Sequence, residues 1–246
     1  MITLEELFLG KETVIRGKEY FSTRKYVEPF INRMTEFTKE FRVYVKTPDQ
    51  MTGNIDKPDI TYNRVLVQAV LPNKIDTYNE VICFCYALDV RKPVAKFYRA
   101  YVDLDTNAML AFNPMWQSSQ QIEPEEPISY ADVKKLMELS SDVQVNIDNL
   151  ENDSINFASL NALLGKWVRA TRTYETNTEF GKIKLSASNA IDSFESLFDD
   201  RDSSYFCETK ATKFDCLESF ARVLGEDKKD IINRFDKTIL INTVIK

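Results

Sequence analysis

Between residues 60 and 112 the chain is a succession of β-branched and aromatic runs on short links, and this constrains its fold more than anything else. The runs are Ile60–Leu71, Val81–Val90, Val94–Leu104 and Ala108–Phe112. Arg91-Lys92-Pro93 and Asp105-Thr106-Asn107 between them carry turn residues. Parallel neighbours need a crossover of a dozen or more residues, so strands joined this closely pair antiparallel. The expectation is an antiparallel meander of four to five strands in the N-terminal half. Just upstream, Phe41, Val43 and Val45 alternate with Arg42, Tyr44 and Lys46, which places the two sets on opposite faces of a strand. A polar stretch with Pro48, Gly53 and Pro58 follows it.

Helical spacing brackets these strands. Thr3 and Glu6 form a capping box for a short first helix ending near Gly10. Ser22 or Thr23 can open a longer one, along which Tyr26, Val27, Phe30, Ile31, Met34, Phe37 and Phe41 recur every three to four residues. Proline belongs in a first turn, so Pro29 argues for a start later than Thr23.

The segment Gln117–Pro127, with Glu123-Pro124-Glu125-Glu126-Pro127, reads as a linker. It suggests a division into residues 1–127 and 128–246, with both halves packed as one domain as the alternative. Beyond it the pattern is helical. Ser129 and Asp132 cap a helix bearing Val133, Leu136, Met137 and Leu139. Further stripes are Leu160, Leu163, Leu164, Trp167 and Val168, then Ile191, Phe194, Leu197 and Phe198. A third, Leu217, Phe220, Ala221 and Leu224, ends at Gly225 as a C′ residue. A short helix around Ile231, Ile232 and Phe235 precedes the β-branched run Thr238–Lys246, expected to be a terminal strand. The fold class is therefore α+β.

Composition narrows the chemistry. Of 246 residues none is histidine and 6 are glycine. Without imidazole, Ser-His and Cys-His catalysis and most zinc or copper sites are excluded. Neither GxGxxG nor GxxxxGK[ST] occurs, so no phosphate-cradling loop of those kinds is present. The formal charge of −6 is spread over both halves, without a basic arm or an acidic tail. The opening residues Met1–Glu6 lack the basic and apolar regions of a signal peptide, and the longest apolar run, Val81–Leu88, is too short for a membrane span. The expectation is an intracellular protein with reduced thiols and no membrane partner.

Four groups of residues could carry function. Asp103-Leu104-Asp105-Thr106-Asn107 opens like a calcium loop, but Ala108 and Pro114 stand where glycine and glutamate belong, so a structural turn is the better reading. With Asp199, Asp200 and Asp202 these aspartates could alternatively serve a metal-dependent phosphoryl hydrolase. Cys83, Cys85, Cys207 and Cys216 lack zinc-knuckle spacing and read as buried thiols. The basic and aromatic run Arg91, Lys92, Lys96, Phe97, Arg99 and Tyr101 could present a stacking face to single-stranded nucleic acid. Lys166, Arg169 and Arg172 beside Trp167 read as the polar flank of an amphipathic helix.

The terminal run is the leading candidate. Ile239, Ile241 and Ile245 would share one face of a strand and Leu240 and Val244 the other. Exposed, such a strand would pair with a neighbouring sheet edge. The resulting expectation is a non-enzymatic assembly or partner-binding protein without cofactor, whose partner is another protein or a second copy. Richness in Lys, Asn, Ile, Phe and Tyr points to an AT-rich source, such as a bacteriophage connector or capsid-associated subunit, in the host cytoplasm or the virion. A nucleic-acid-binding accessory protein and the metal-dependent hydrolase are the two alternatives.

Overall fold

The computed structural model describes residues 1–9, 13–15, 18–46, 63–88, 92–124, 126–139, 142–156, 158–159, 161–163, 165–166, 177–178, 181–182, 208–226 and 233–245. The chain is α+β, with an antiparallel sheet in its N-terminal half and helices in its C-terminal half. It divides into two compact units. One comprises Met1–Lys74, Asn79–Ala100 and Met115–Leu139; the other comprises Ile75–Tyr78, Tyr101–Pro114 and Ser140–Lys246. Among the described residues no helix is long and apolar enough to cross a membrane.

In the first unit, α1 (Leu4–Phe8) begins with the expected capping box. The Thr3 hydroxyl accepts from the Glu6 N–H at 3.1 Å, and the Glu6 carboxylate accepts from the Thr3 N–H at 2.7 Å. Gly10 lies outside the described residues. A small hairpin, β1 (Thr13–Ile15) with β2 (Lys18–Tyr20), leads to α2 (Thr23–Met34). Contrary to expectation, α2 starts at Thr23 and carries Pro29 in its interior. Pro29 cannot donate to the Lys25 carbonyl, but both residues lie on the exposed side, where water meets the loss. The helix also stops earlier than its apolar spacing implied: Phe37 is exposed beyond it, and Phe41 opens the next strand.

The main sheet contains β3 (Phe41–Lys46), β4 (Arg64–Ile75), β5 (Tyr78–Ala87), β6 (Val94–Asp103) and β7 (Met109–Leu110) in that spatial order. A sixth strand, β8 (Gln117–Gln121), pairs antiparallel with β6, from Val94 opposite Gln121 to Tyr98 opposite Gln117. This corrects the linker reading of Gln117–Pro127, whose first five residues belong to the sheet. Their side chains are polar and half-exposed, and backbone bonding to β6 rather than burial places them there.

Alternate residues of the central strands face α2. Val65, Val67 and Ala69, then Ile82, Phe84 and Tyr86, then Ala95 and Phe97 form one buried cluster with Tyr26, Val27, Phe30, Ile31 and Met34. Phe30 lies 5.6 Å from Phe84, and Phe84 stacks on Phe97 at 5.0 Å between ring centroids. The Tyr86 hydroxyl donates to Thr23 at 3.1 Å, and burial pushes its pKa far above the ordinary range. The opposite set, including Leu66, Gln68, Val70, Cys83, Cys85 and Tyr98, is buried too. Burial on both faces explains why these strands are nearly continuous apolar runs. The cluster is closed by α3 (Ala131–Glu138) through Val133 and Leu136. Its N-cap is Tyr130 rather than Ser129. Ser129 and Gln120 instead bond each other, backbone to side chain, and the Asp132 carboxylate accepts from Ser118.

The second unit holds α4 (Val143–Glu151), a helix the sequence reading passed over, and β9 (Ser154–Asn156) paired with β12 (Glu208–Thr212). A short hairpin is formed by β10 (Asn177–Thr178) and β11 (Gly181–Lys182). Two helices follow: α5 (Lys213–Glu226) and α6 (Arg234–Ile245). α5 packs against α4, α6 and β7. It is entered through a second capping arrangement, in which Asp215 and Thr212 each accept the other's backbone N–H, at 2.6 and 3.2 Å.

Gly225 is not a C′ residue but lies inside α5. A Cβ there would stand 2.5 Å from the Thr106 carbonyl oxygen and 2.8 Å from Asn107 C, so glycine is required by close approach. Of the stripe at 160–168, Leu163 is helical and buried, and the other four members lie outside the described residues. So does the stripe of Ile191, Phe194, Leu197 and Phe198.

Candidate functional site

The basic, aromatic face expected on β6 is not a surface. Phe97 is 0% and Tyr101 4% exposed, so neither ring is open to a base. Lys96 is buried as well, Lys92 is exposed, and Arg91 lies outside the described residues. The reason for Phe97 is cover on the sheet face: on an inner strand, its ring packs against Phe30 of α2 at 6.3 Å and Tyr130 at 5.4 Å between centroids. Local sequence does not separate a basic strand at a sheet's centre from one at its edge.

Arg99 is committed internally. Its Nε lies 2.6 Å from a Glu80 carboxylate oxygen, and both side chains are nearly fully buried. One terminal nitrogen donates to the Leu139 carbonyl just past α3, and the guanidinium sits 5.5 Å from the Trp116 ring centroid. The other Glu80 oxygen accepts from Asn73 at 2.7 Å. The group therefore ties β4, β5, β6 and the end of α3 together.

Asp103 makes the structural turn expected of it. Its carboxylate accepts the backbone N–H groups of Asp105 at 2.8 Å and Thr106 at 3.2 Å, and Asn107 takes φ 59°. Burial pushes the Asp103 carboxyl up, but these N–H donors together with the Thr106 and Thr77 side chains outweigh it and hold it below the ordinary carboxylate range. Asp199, Asp200 and Asp202 lie outside the described residues. Among the described residues, no three Asp, Glu or Cys side chains stand together as a metal site. Cys83, Cys85 and Cys216 are buried, with the Cys216 thiol pushed up to about 12 by burial; Cys207 lies outside the described residues.

The terminal strand is corrected to a helix. Thr238 to Ile245 belong to α6, with Phe235, Thr238, Ile241 and Ile245 on its buried stripe. Ile239 and Leu240 are half-buried, and the Val244 side chain lies outside the described residues. The Thr238 hydroxyl donates to the Arg234 carbonyl one turn back at 2.9 Å, and Asn242 donates to the Ala111 carbonyl. The apolar side chains expected to engage a partner as a strand are thus partly spent inside the second unit. Tertiary packing has overridden a weak β preference.

Backbone groups directed away from the sheet are found along the outer edge of β3. Its register with β4 runs from Phe41 opposite Ala69 to Lys46 opposite Arg64. The Val70 N–H donates to the Glu40 carbonyl at 3.0 Å, so the backbone groups of even-numbered residues point toward β4. Those of Phe41, Val43 and Val45 consequently point away. Val43 confirms this, for its carbonyl accepts the Ile2 N–H at 3.0 Å in an isolated antiparallel bridge. Among the described residues no other strand lies on that side, and the outward groups of Phe41 and Val45 take no backbone partner.

Side chains on β3 fall into two sets. Phe41, Val43 and Val45 pack on the core cluster, and Arg42 and Tyr44 lie on the other face, half-buried. The edge was hard to find from sequence because β3 has the same alternation as any strand with one buried face. Its charged residues Arg42 and Lys46, usual protection for an edge, were the one available signal. No protein-family model, no curated protein and no solved structure matches this chain.

Proposed function

We propose that this protein is a non-enzymatic assembly or partner-binding subunit that receives a further strand on the outer edge of β3. The observation that carries the reading is the alternation of the β3 backbone. One set of groups is bonded to β4, and the other is engaged only through Val43 by Ile2 among the described residues. Strand addition draws its affinity from such main-chain groups and its specificity from alternate side chains. Exposed apolar side chains on the adjoining N-terminal segment, Met1 at 81% and Leu9 at 80%, add surface that a partner would cover.

Proline provides the test, because it removes one backbone donor at a chosen position. Val45→Pro deletes an outward N–H and leaves the ladder with β4 intact. Tyr44→Pro deletes an inward one. Light scattering on the full chain is expected to show association that Val45→Pro abolishes and that Val45→Ala, which trims the same core contact but keeps the N–H, retains. Tyr44→Pro is expected to lower the melting temperature by removing a ladder bond, worth about 1–3 kcal/mol when its partner is left buried. Association that survives Val45→Pro unchanged would place the contact elsewhere.

A further inference from the structure

We propose that the occupant of the β3 edge is β3 of a second copy, paired antiparallel about Val43; this rests on the edge reading above. The segment Glu40–Lys46 is complementary to its own reverse. In a two-fold pairing centred on Val43, Glu40 faces the partner's Lys46, Phe41 faces the partner's Val45, and Arg42 faces the partner's Tyr44. These are an opposite-charge pair, an aromatic and β-branched pair, and a cation beside an aromatic ring, each a favourable cross-strand combination. Val43 meets its own symmetry mate, as an isologous contact requires.

The same residues select against neighbouring registers. A slip of two residues one way sets Arg42 opposite the partner's Arg42. A slip of two the other way sets it opposite the partner's Lys46. Like charges directly opposite are destabilising in both cases. A slip of one residue would turn the buried face outward.

Backbone directions agree. Phe41, Val43 and Val45, whose N–H and C=O groups point away from β4, are the residues that become hydrogen-bonded pairs in this register. What must be given up is the Ile2 to Val43 bridge and the contact of α1 with β3, made by a segment that packs Ile2, Leu4 and Phe8 against the core. One backbone bond is thereby exchanged for about six, two from each of three hydrogen-bonded pairs.

Cross-linking between two single variants reads the register directly. Arg42 and Tyr44 form a non-hydrogen-bonded pair across the two-fold, about 4.5 Å apart at Cα, within the range that a disulfide spans. Full-length Arg42→Cys and Tyr44→Cys proteins would be oxidised separately and as an equal mixture, with the wild type setting the background from native thiols. The mixture should give at least about tenfold more disulfide dimer than either variant alone, with the 42–44 linkage identified by mass spectrometry. Light scattering on the unmodified chain should show a dimer that Val45→Pro dissolves. Equal cross-linking in all samples, or a wild-type protein that stays monomeric when concentrated, would overturn self-pairing. The edge reading would still stand in that case if the Phe41 and Val45 amides exchange freely with solvent, and would fall with it if they do not.

Discussion

Removing both partners of the buried Glu80–Arg99 pair should destabilise the first unit no more than removing either one alone. The pair is held at 2.6 Å with side chains 3% and 6% exposed, so neither charge is solvated by bulk water. Glu80→Leu leaves the Arg99 guanidinium buried with only the Leu139 carbonyl and the Trp116 ring beside it. Arg99→Met leaves the carboxylate with Asn73 alone. Breaking one side of a buried pair costs roughly 3–5 kcal/mol, whereas replacing both charges by apolar groups of similar volume is often neutral. Here the double variant Glu80→Leu/Arg99→Met also strands the Asn73 amide and the Leu139 carbonyl, worth about 1–3 kcal/mol each if they stay dry. The double variant should therefore lose about as much as one single variant, with a coupling energy of roughly 3–5 kcal/mol between the sites. Urea unfolding of the four proteins at neutral pH gives that number directly. Two single variants that each cost under about 1 kcal/mol and add up in the double would refute the argument, since the pair would then be solvated like a surface ion pair.

Two glycines should respond oppositely to alanine. Gly225→Ala should cost about 1–3 kcal/mol because its Cβ meets the backbone of Thr106 and Asn107, while Gly165→Ala, helical with nothing among the described residues within 4 Å, should gain about 0.5–1 kcal/mol; thermal melting of both separates the effects. Asp103 should make the second unit sensitive to acid. Its folded carboxyl sits below the unfolded one, so its contribution is complete above about pH 4 and is lost as pH falls through the lower, folded value. Asp103→Asn should flatten that part of the stability–pH curve, and an unchanged curve would count against the turn's donors being the cause.

Much of the first unit was readable before any coordinates. The capping box at Thr3 and Glu6, the alternation at Phe41–Lys46 and the closely linked apolar runs all reappear as α1, β3 and the central strands. These signals are local: a cap is fixed by four residues, and a strand buried on both faces must be apolar throughout. What failed was decided at a distance. Gln117–Gln121 has no apolar face, and only backbone bonding to β6 makes it a strand. Thr238–Ile245 has the residues of a strand, yet its Phe235, Thr238, Ile241 and Ile245 fit a helical stripe once α5 and β7 are there to cover it. The candidate site shared this fate. Phe97 and Tyr101 have the look of a stacking face, yet both are buried, Phe97 beneath Phe30 and Tyr130, which lie far from it in sequence. The edge character of β3 depends on which strand has no neighbour, a property of topology rather than of sequence.

Native-state amide exchange along β3 in dilute protein tests the central claim most directly. The amides of Arg42 and Tyr44, bonded to β4, should exchange at least about a hundredfold more slowly than those of Phe41 and Val45, which point outward. On raising the protein concentration, the Phe41 and Val45 amides should become protected as the edge is filled. Phe41 and Val45 amides as slow in dilute protein as those of Arg42 and Tyr44 would mean that the edge is already closed within one chain, and would contradict the account.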